Sequence, residues 1–250
     1  MPGEGAVDRY GSPGAPLVIA LHGAVANRKT WLPLARLVAN DYELWCPDLP
    51  GHGARRDEPF TLRASLATVA ELVARARPRR VVVAGDSLGG YLALLAARAF
   101  GDVAACVAGG CTWSMHGAWG ALARASGAPP DVLERVLGAR RSERLVAALV
   151  PRFTDAATAA AVVAGGLRTA ARGESLRELA GLDLVELVRA IDAPIVFVNG
   201  ARDWPTRAGE ASLLRAARGA SLELEPGAGH GVGLLAPAVF ARGIARLVQT

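Results

Sequence analysis

Short runs with an apolar residue at nearly every position recur along the chain. Such runs predict strands that are buried on both faces of a sheet. They span residues 17–21, 42–46, 80–84, 103–109 and 194–199. Two weaker patterns, at residues 6–10 and 221–225, predict edge strands, since the second alternates leucine with glutamate.

Longer stretches with apolar residues three or four positions apart predict helices between these strands. They span residues 30–38, 61–76, 88–100, 207–217 and 237–248. Because strands and helices alternate, the chain is predicted to have an α/β fold in which helices wrap a mostly parallel sheet.

The alternation stops at Cys111. Between residues 112 and 190 only helical patterns occur, broken by glycine and proline, and they span residues 115–126, 131–137, 142–149, 155–163, 175–180 and 183–191. A block of this length is too long for a loop. We therefore predict that residues 1–111 and 191–250 form one core domain and that residues 112–190 are a helical cap inserted over the carboxyl edge of the sheet.

One segment joins a predicted strand directly to a predicted helix through the sequence Gly85-Asp86-Ser87-Leu88-Gly89. A sharp turn of this kind holds its central residue in a strained conformation and needs small residues two positions to either side. The Ser87 hydroxyl would then stand above the sheet. The backbone N–H of Leu88, in the first turn of the helix, would point toward a developing oxyanion.

A serine nucleophile needs a base, and the base needs a carboxylate that orients it. Among the four histidines, His230 lies in a glycine-rich loop after the last predicted strand. Asp203 follows the strand at 194–199, at the carboxyl edge of the sheet, whereas Asp183 and Asp192 precede that strand. We predict that Ser87, Asp203 and His230 form a catalytic triad.

Five motifs in this order resemble those of the α/β-hydrolases. They are Leu21-His22-Gly23, residues 48–53 with the pattern D-x-P-G-x-G, residues 85–89 with the pattern G-x-S-x-G, residues 200–203, and Gly229-His230. The family order of nucleophile, acid and histidine matches the predicted triad. The resemblance implies an α/β-hydrolase fold with a cap. It also implies that the backbone N–H of Ala24, the residue after His22-Gly23, joins that of Leu88 in the oxyanion hole.

Two positions depart from common usage in this family. Asp86 stands where many members have histidine, and Ala24 is small where many have an aromatic residue, which would leave more room in the acyl pocket. The predicted pocket residues are His22, Cys111, Trp113 and Trp204, which all follow the carboxyl ends of strands. Loop shaping is the alternative for His22, and packing between cap and core is the alternative for the other three.

The resemblance implies a serine hydrolase that cleaves a carboxylic ester or thioester through an acyl-enzyme, without a metal or an organic cofactor. An acyltransferase or a macrocyclising thioesterase would use the same triad. A lyase or C–C hydrolase, or a ligand-binding protein without catalysis, are further alternatives. Because Ser87 rather than aspartate occupies the nucleophile position, a dehalogenase or an epoxide hydrolase is disfavoured.

The charge and the cysteine content limit the classes of partner and of site that are expected for this protein. The 28 basic residues, among which Lys29 is the only lysine, exceed 23 acidic ones by five and form no basic block, so nucleic-acid binding is not expected. The positive charge would attract acidic substrates such as an acyl-CoA or an acylated carrier protein.

Three cysteines without CxxC spacing indicate neither a disulfide framework nor a metal site. With no signal peptide or long apolar segment, we expect a cytoplasmic monomer or homodimer with no membrane contact.

Overall fold

A seven-stranded sheet forms the centre of the protein in this computed structural model. The structure describes residues 4–248, except for the side chains of residues 4, 119, 123–124, 127–131, 133 and 205. The strands are β1 (Val7–Tyr10), β2 (Leu17–Leu21), β3 (Glu43–Pro47), β4 (Val81–Asp86), β5 (Val103–Gly109), β6 (Ile195–Gly200) and β7 (Ala220–Glu225). Their order is β1-β3-β2-β4-β5-β6-β7, and only β1 runs antiparallel to its neighbour. The predicted mostly parallel sheet is confirmed.

Helices cover both faces of the sheet. They are α1 (Leu32–Val38), α2 (Leu62–Ala76), α3 (Leu88–Ala99), α4 (Gly117–Leu137), α5 (Ala139–Ala147), α6 (Ala156–Ala164), α7 (Ala171–Glu178), α8 (Leu184–Arg189), α9 (Trp204–Arg207), α10 (Glu210–Ala216), α11 (Val232–Leu235) and α12 (Pro237–Val248). Side chains of β2 alternate between two cores, Leu17 and Ile19 in one and Val18 and Ala20 in the other. Helices α2, α3, α8 and α10 pack on the first core, and α1 and α12 on the second. Among residues 4–248, no helix is long and apolar enough to cross a membrane.

Several predicted helix boundaries are wrong; α5 and α7, for example, begin three and four residues earlier than predicted. The expected break at residues 127–130 does not occur, and α4 continues through it. Proline fixes φ near the helical value, but each of the two adjacent prolines lacks the backbone N–H that would donate to the preceding turn, so α4 continues there with fewer helical hydrogen bonds. The predicted helix at 207–217 begins three residues late, as α10 at Glu210, and a division separates it from the short helix α9 before it. The division lies at Gly209, where a Cβ atom would overlap the carbonyl oxygen of Thr112.

Helices α4 to α8 occupy the interval between β5 and β6. Of these, α8 packs against α3 and α10, and its Leu184 and Val188 belong to the larger core. Helix α7 packs against α4 instead. The division into a core domain and a cap at residues 112–190 stays a prediction.

A buried carboxylate ties together the loops beside β2 and β3. Asp48 is fully buried and accepts hydrogen bonds from the backbone N–H of Arg28 at 2.9 Å and of Ala54 at 2.8 Å. The guanidinium of Arg28 pairs with Asp48 and, at 2.9 Å, with Asp8 on β1. This network holds the loop after β3 against the segment that follows β2, where the active-site loop begins.

Candidate active site

Ser87 occupies a strained turn between β4 and α3. Its backbone has φ 57° and ψ −116°, and in the described part of the chain no other residue except glycine has a positive φ. Such a conformation costs about 1–3 kcal/mol and is kept by the surrounding structure. Here the N–H of Ser87 donates to the carbonyl oxygen of Gly109 on β5, at 2.8 Å.

The two glycines of the motif allow strand and helix to touch. A Cβ atom on Gly85 would overlap the carbonyl oxygen of Gly89, and one on Gly89 would overlap the carbonyl oxygen of Leu21 on β2. Since both contacts are with backbone atoms, no side-chain movement could relieve them. The strand, the turn and the helix therefore lie where the sequence predicts them.

The structure brings Ser87, His230 and Asp203 together. His230 Nε2 lies 2.9 Å from Ser87 Oγ, and His230 Nδ1 lies 2.8 Å from Asp203 Oδ2. The Asp203 carboxylate is buried, whereas the side chain of His230 is 46% exposed. Asp183 and Asp192 lie elsewhere, since the first caps α8 and the second pairs with Arg218 at the surface.

Close packing between two loops brings Asp203 to His230. The Asp203 loop follows β6, and its Arg202 N–H donates to the carbonyl oxygen of Ala228 at 2.9 Å. A Cβ atom on Gly200 would overlap the carbonyl oxygens of Ala228 and Gly229, so only glycine lets the loops touch here. His230 follows directly, and its position relative to Asp203 is therefore set by backbone contacts.

The charges around His230 favour its protonated form. Burial lowers the pKa of His230, but the hydrogen bond and charge of Asp203 and the charge of Asp86 outweigh this effect. The net result is a raised pKa. The charge of Arg172 acts in the opposite direction. An imidazole in this field is a stronger base, and the imidazolium it forms is stabilised.

The predicted oxyanion donors lie next to Ser87. Ala24 and Leu88 both line the same cavity as Ser87. Within the described part of the chain, neither backbone N–H donates a hydrogen bond to another protein group. Leu88 is the first residue of α3, where the helix dipole adds to the attraction for a negative oxygen.

Two buried histidines shape the loop that carries Ala24. His22 Nδ1 is 2.8 Å from the carbonyl oxygen of Gly23, and its Nε2 accepts from the Leu49 N–H at 3.0 Å. Burial lowers the pKa of His22 to about 4, so this ring is neutral near pH 7. His52 Nε2 lies 2.6 Å from the carbonyl oxygen of Ala24. The His52 ring therefore also contacts the loop that carries Ala24.

A cavity of about 340 Å³ opens at Ser87. Its lining is mostly apolar, with a few polar groups. The lining residues are Gly23, Ala24, Val25, Ala26, Ser87, Leu88, Tyr91, Gly110, Trp113, Met115, Ser126, Arg172, Ser175, Leu176, Leu179, Asp203, Thr206, His230 and Gly231. Several come from the helices between β5 and β6, so this part of the chain determines the shape of the cavity.

Of the four predicted pocket residues, only Trp113 lines this cavity. His22 and Cys111 are fully buried outside its lining, and the Trp204 side chain is turned to solvent with 70% of its surface exposed. Cys111 packs against α3, where a Cβ atom on Gly90 would come within 2.8 Å of its Sγ. The positions of His22, Cys111 and Trp204 therefore do not support the predicted pocket role. Arg172 was missed, because nothing in the sequence separates it from the other arginines.

Asp86 is a second carboxylate at this site. It is buried, and within the described residues its Oδ1 has no hydrogen-bond partner. A Cβ atom on Gly110 would lie 3.3 Å from Asp86 Oδ1 and 3.4 Å from His230 Cε1, so the two groups meet at this glycine. Burial, together with the charge of Asp203, raises the pKa of Asp86 to about 6, although the charge of His230 and the N–H groups of Gly233 and Ser87 lower it.

We predict that Asp86→Asn stabilises the protein above about pH 6 and has little effect below about pH 4. The raised pKa means that the folded state binds the proton more tightly, so ionised Asp86 destabilises the fold. A rise from 3.8 to about 6 corresponds to a penalty on the order of 3 kcal/mol. Denaturant unfolding at about pH 3.5 and pH 8 measures the free energy of unfolding of both proteins.

The exposed Asp57→Asn is the matched control for this prediction and should change stability equally little at both pH values. The acid limb of the kcat/KM profile should also move to lower pH in Asp86→Asn, since the charge of Asp86 raises the pKa of His230. Equal stability of wild type and Asp86→Asn at high pH would contradict the prediction.

The sequence is similar to those of known proteins. The sequence model that describes the alpha/beta hydrolase family matches residues 18–243. The pimeloyl-(acyl-carrier protein) methyl ester esterase of Xanthomonas oryzae pv. oryzae is 42% identical over 82 residues, which make up 33% of this chain and 31% of the esterase. Lipase LipV of Mycobacterium tuberculosis is 36% identical over 103 residues, which make up 40% of this chain and 39% of the lipase. The matches thus span less than half of these relatives.

The fold is also similar to that of solved structures. The crystal structure of E-2-(acetamidomethylene)succinate hydrolase superposes with a TM-score of 0.77 and 22% sequence identity. The superposition covers 98% of this chain and 94% of that one. At this identity, the similarity shows a shared fold over the whole chain.

Proposed function

The chain belongs to the alpha/beta hydrolase family, and we propose that within it the protein is a serine hydrolase that cleaves a carboxylic ester or thioester. The observation that carries this proposal is the hydrogen-bonded series from Asp203 through His230 to Ser87. Its two distances, 2.8 and 2.9 Å, are within the range needed for proton transfer.

In the proposed acylation step, Ser87 Oγ attacks the acyl carbon while His230 Nε2 takes the hydroxyl proton. The carbonyl oxygen becomes an oxyanion that the N–H groups of Ala24 and Leu88 stabilise. Each such donor contributes on the order of 3 kcal/mol in the transition state. The bond to the leaving group then breaks, and the imidazolium returns its proton to the departing alcohol or thiol.

Deacylation repeats these steps with water. His230 Nε2 takes a proton from water as the water oxygen attacks the acyl carbon, and the bond to Ser87 Oγ breaks. The proton on His230 passes to Oγ, so the acid is released and Ser87 is restored. Asp203 keeps the Nδ1 proton of His230 in place and stabilises the imidazolium in both steps.

We propose that residues 112–190 act as a cap that shapes the acyl site. Met115, Arg172 and Leu179 from this segment line the cavity together with Ser87. One relative acts on a methyl ester attached to an acyl-carrier protein, as its name states. The substrate proposed here is accordingly a small ester, or an ester or thioester held on CoA or a carrier protein.

The first test is reaction of the protein with a fluorophosphonate, followed by intact mass measurement and peptide mapping. We expect one adduct per chain, located on Ser87, and a strongly slowed reaction in His230→Ala. Hydrolysis of short-chain para-nitrophenyl esters and acyl thioesters should show a burst of the leaving group. Acyl product on an added alcohol or amine would favour acyl transfer.

Absence of the adduct in a folded protein, together with no turnover of esters or thioesters, would contradict the proposal. Thermal unfolding of the same preparation provides the control that the protein is folded. Tight small-molecule binding that survives Ser87→Ala without turnover would favour a ligand-binding protein instead.

A further inference from the structure

An arginine lies inside the cavity that opens at Ser87. Arg172, near the start of α7, lines this cavity and is partly buried. Ser87 and His230 line the same cavity, and the charge of Arg172 lowers the pKa of His230. Among the described cavity residues it is the single permanent cation, and Asp203, the single carboxylate there, binds His230.

The guanidinium of Arg172 is poorly paired within the protein. Its Nε is buried and has no hydrogen-bond partner among the described residues, and Nη2 makes one long contact, 3.4 Å to Ser126 Oγ. No carboxylate in the described part of the chain forms an ion pair with it. Other partly buried arginines do have one, as Arg168 pairs with Glu174 at 2.6 Å. Since a guanidinium carries five donors, Arg172 has donors available for a ligand.

A second N–H donor without a partner among the described residues belongs to a residue that lines the same cavity. Trp113 lines it, and the Trp113 Nε1 is buried without a partner among the described residues. Among the described residues that line the cavity, the two buried polar atoms without a partner are therefore both N–H donors, and neither is an acceptor. A buried donor is normally satisfied, so this pattern indicates a ligand that brings acceptor oxygens.

Apolar side chains line much of the remaining cavity. Leu88, Met115, Leu176 and Leu179 are among them. An acyl chain whose reacting carbonyl lies at Ser87 would pass along these side chains. A carboxylate at its other end could reach Arg172, and the fork of the guanidinium matches a carboxylate in two parallel hydrogen bonds.

We propose that Arg172 binds a carboxylate of the substrate, so that the protein acts on a monoester or monothioester of a dicarboxylic acid. The inference rests on the proposed hydrolase function. The reaction is the ester or thioester hydrolysis described above, in which the second carboxylate of the substrate is bound but not altered. The product would be a dicarboxylic acid.

The test compares para-nitrophenyl monoesters of succinic, glutaric and adipic acid with the corresponding methyl diesters. In each methyl diester the para-nitrophenyl ester is kept and the free carboxylate is methylated, so the chain is the same but has no charge. We expect kcat/KM to be about 10- to 100-fold higher for the best monoester than for its methyl diester, mainly through KM. Arg172→Gln should remove this preference, so that the variant hydrolyses the monoester with about the same kcat/KM as it retains for the methyl diester. That activity also shows that the variant is folded.

Arg177→Gln is the matched control, because Arg177 is an exposed residue of the same helix and does not line the cavity. This variant should keep the preference for the monoester. Arg172→Glu should lower kcat/KM for the monoester further than Arg172→Gln. A wild type that hydrolyses monoester and diester equally well would overturn the inference, and so would a preference that survives in Arg172→Gln.

A binding measurement separates this inference from the proposed function. The free dicarboxylic acids should raise the Tm of the wild type and of Ser87→Ala, but not that of Arg172→Gln. If the acids stabilise through Arg172 while no ester is hydrolysed, the hydrolase proposal fails and the carboxylate site stands. If esters are hydrolysed but no dicarboxylic acid shifts the Tm, the carboxylate site fails.

A last comparison identifies the source of the anion. Butyryl-CoA carries phosphates on the leaving group and none on the acyl chain. A preference for butyryl-CoA over para-nitrophenyl butyrate that Arg172→Gln abolishes, without any preference among the monoesters, would assign a phosphate to Arg172. That result would overturn the carboxylate assignment.

Discussion

Replacement of Ser87 by alanine should lower kcat for any ester substrate by on the order of 10⁴- to 10⁶-fold. The variant lacks the oxygen that forms the acyl-enzyme, so His230 can at best activate water directly. KM should change little, because the cavity and Arg172 stay in place. Single-turnover and steady-state rates with a para-nitrophenyl ester measure the loss, and the fluorophosphonate adduct should vanish.

Ser126→Ala is the matched control for this prediction, since Ser126 lines the same cavity from α4. With an uncharged ester it should keep kcat within a few-fold of the wild type. The Ser87→Ala protein, purified in the same way, also gives an upper limit for contaminating esterases. A Ser87→Ala variant with near wild-type kcat would exclude Ser87 as the nucleophile.

Asp203→Asn should lower kcat at neutral pH by about 10⁴-fold. The amide has the size of the carboxylate, but it can donate a hydrogen bond to His230 Nδ1 and so favour the wrong tautomer. The hydrogen bond and the charge of Asp203 raise the pKa of His230, so their loss lowers that pKa. The acid limb of the kcat/KM profile, where protonation inactivates the base, should therefore move to lower pH.

Asp192→Asn is the control for Asp203→Asn, because Asp192 is one of the two aspartates that precede β6 and its side chain is 88% exposed. Its kcat and pH profile should equal those of the wild type. Loss of activity in Asp192→Asn with retention in Asp203→Asn would reverse the assignment of the acid. A large loss in Asp203→Asn without any movement of the acid limb would point to a structural role for the carboxylate.

The elements around Ser87 could be predicted because their causes are local. The apolar run of β4, the small residues at Gly85 and Gly89, and the helical spacing that follows all lie within about one strand and one helix of sequence. The positions of Asp203 and His230 could also be predicted, since parallel strands end at the same edge of a sheet. The family pattern added Ala24, which the structure brings to the cavity beside Leu88.

Prediction was weaker wherever the outcome depends on long-range packing. Trp113 and Trp204 follow strand ends in the same way, yet one lines the cavity and the other faces solvent. The interruption at Gly209 depends on Thr112, which lies far away in sequence. The amphipathic pattern of a helix indicates that one face is buried, but not which element covers it.

The roles of two residues at this site, Asp86 and Arg172, could not be predicted for the same reason. Asp86 and Arg172 are an ordinary aspartate and one arginine among many in the printed sequence. The tertiary structure surrounds Asp86 with β5 and the His230 loop, and it brings Arg172 from α7 into the cavity. Order along the chain and local spacing thus specify the α/β sheet, the turn at Ser87 and the predicted triad. The burial of Asp86 and Arg172 and the charges near them arise only when distant segments meet. The same holds for the lack of a hydrogen-bond partner, among the described residues, for Asp86 Oδ1 and Arg172 Nε.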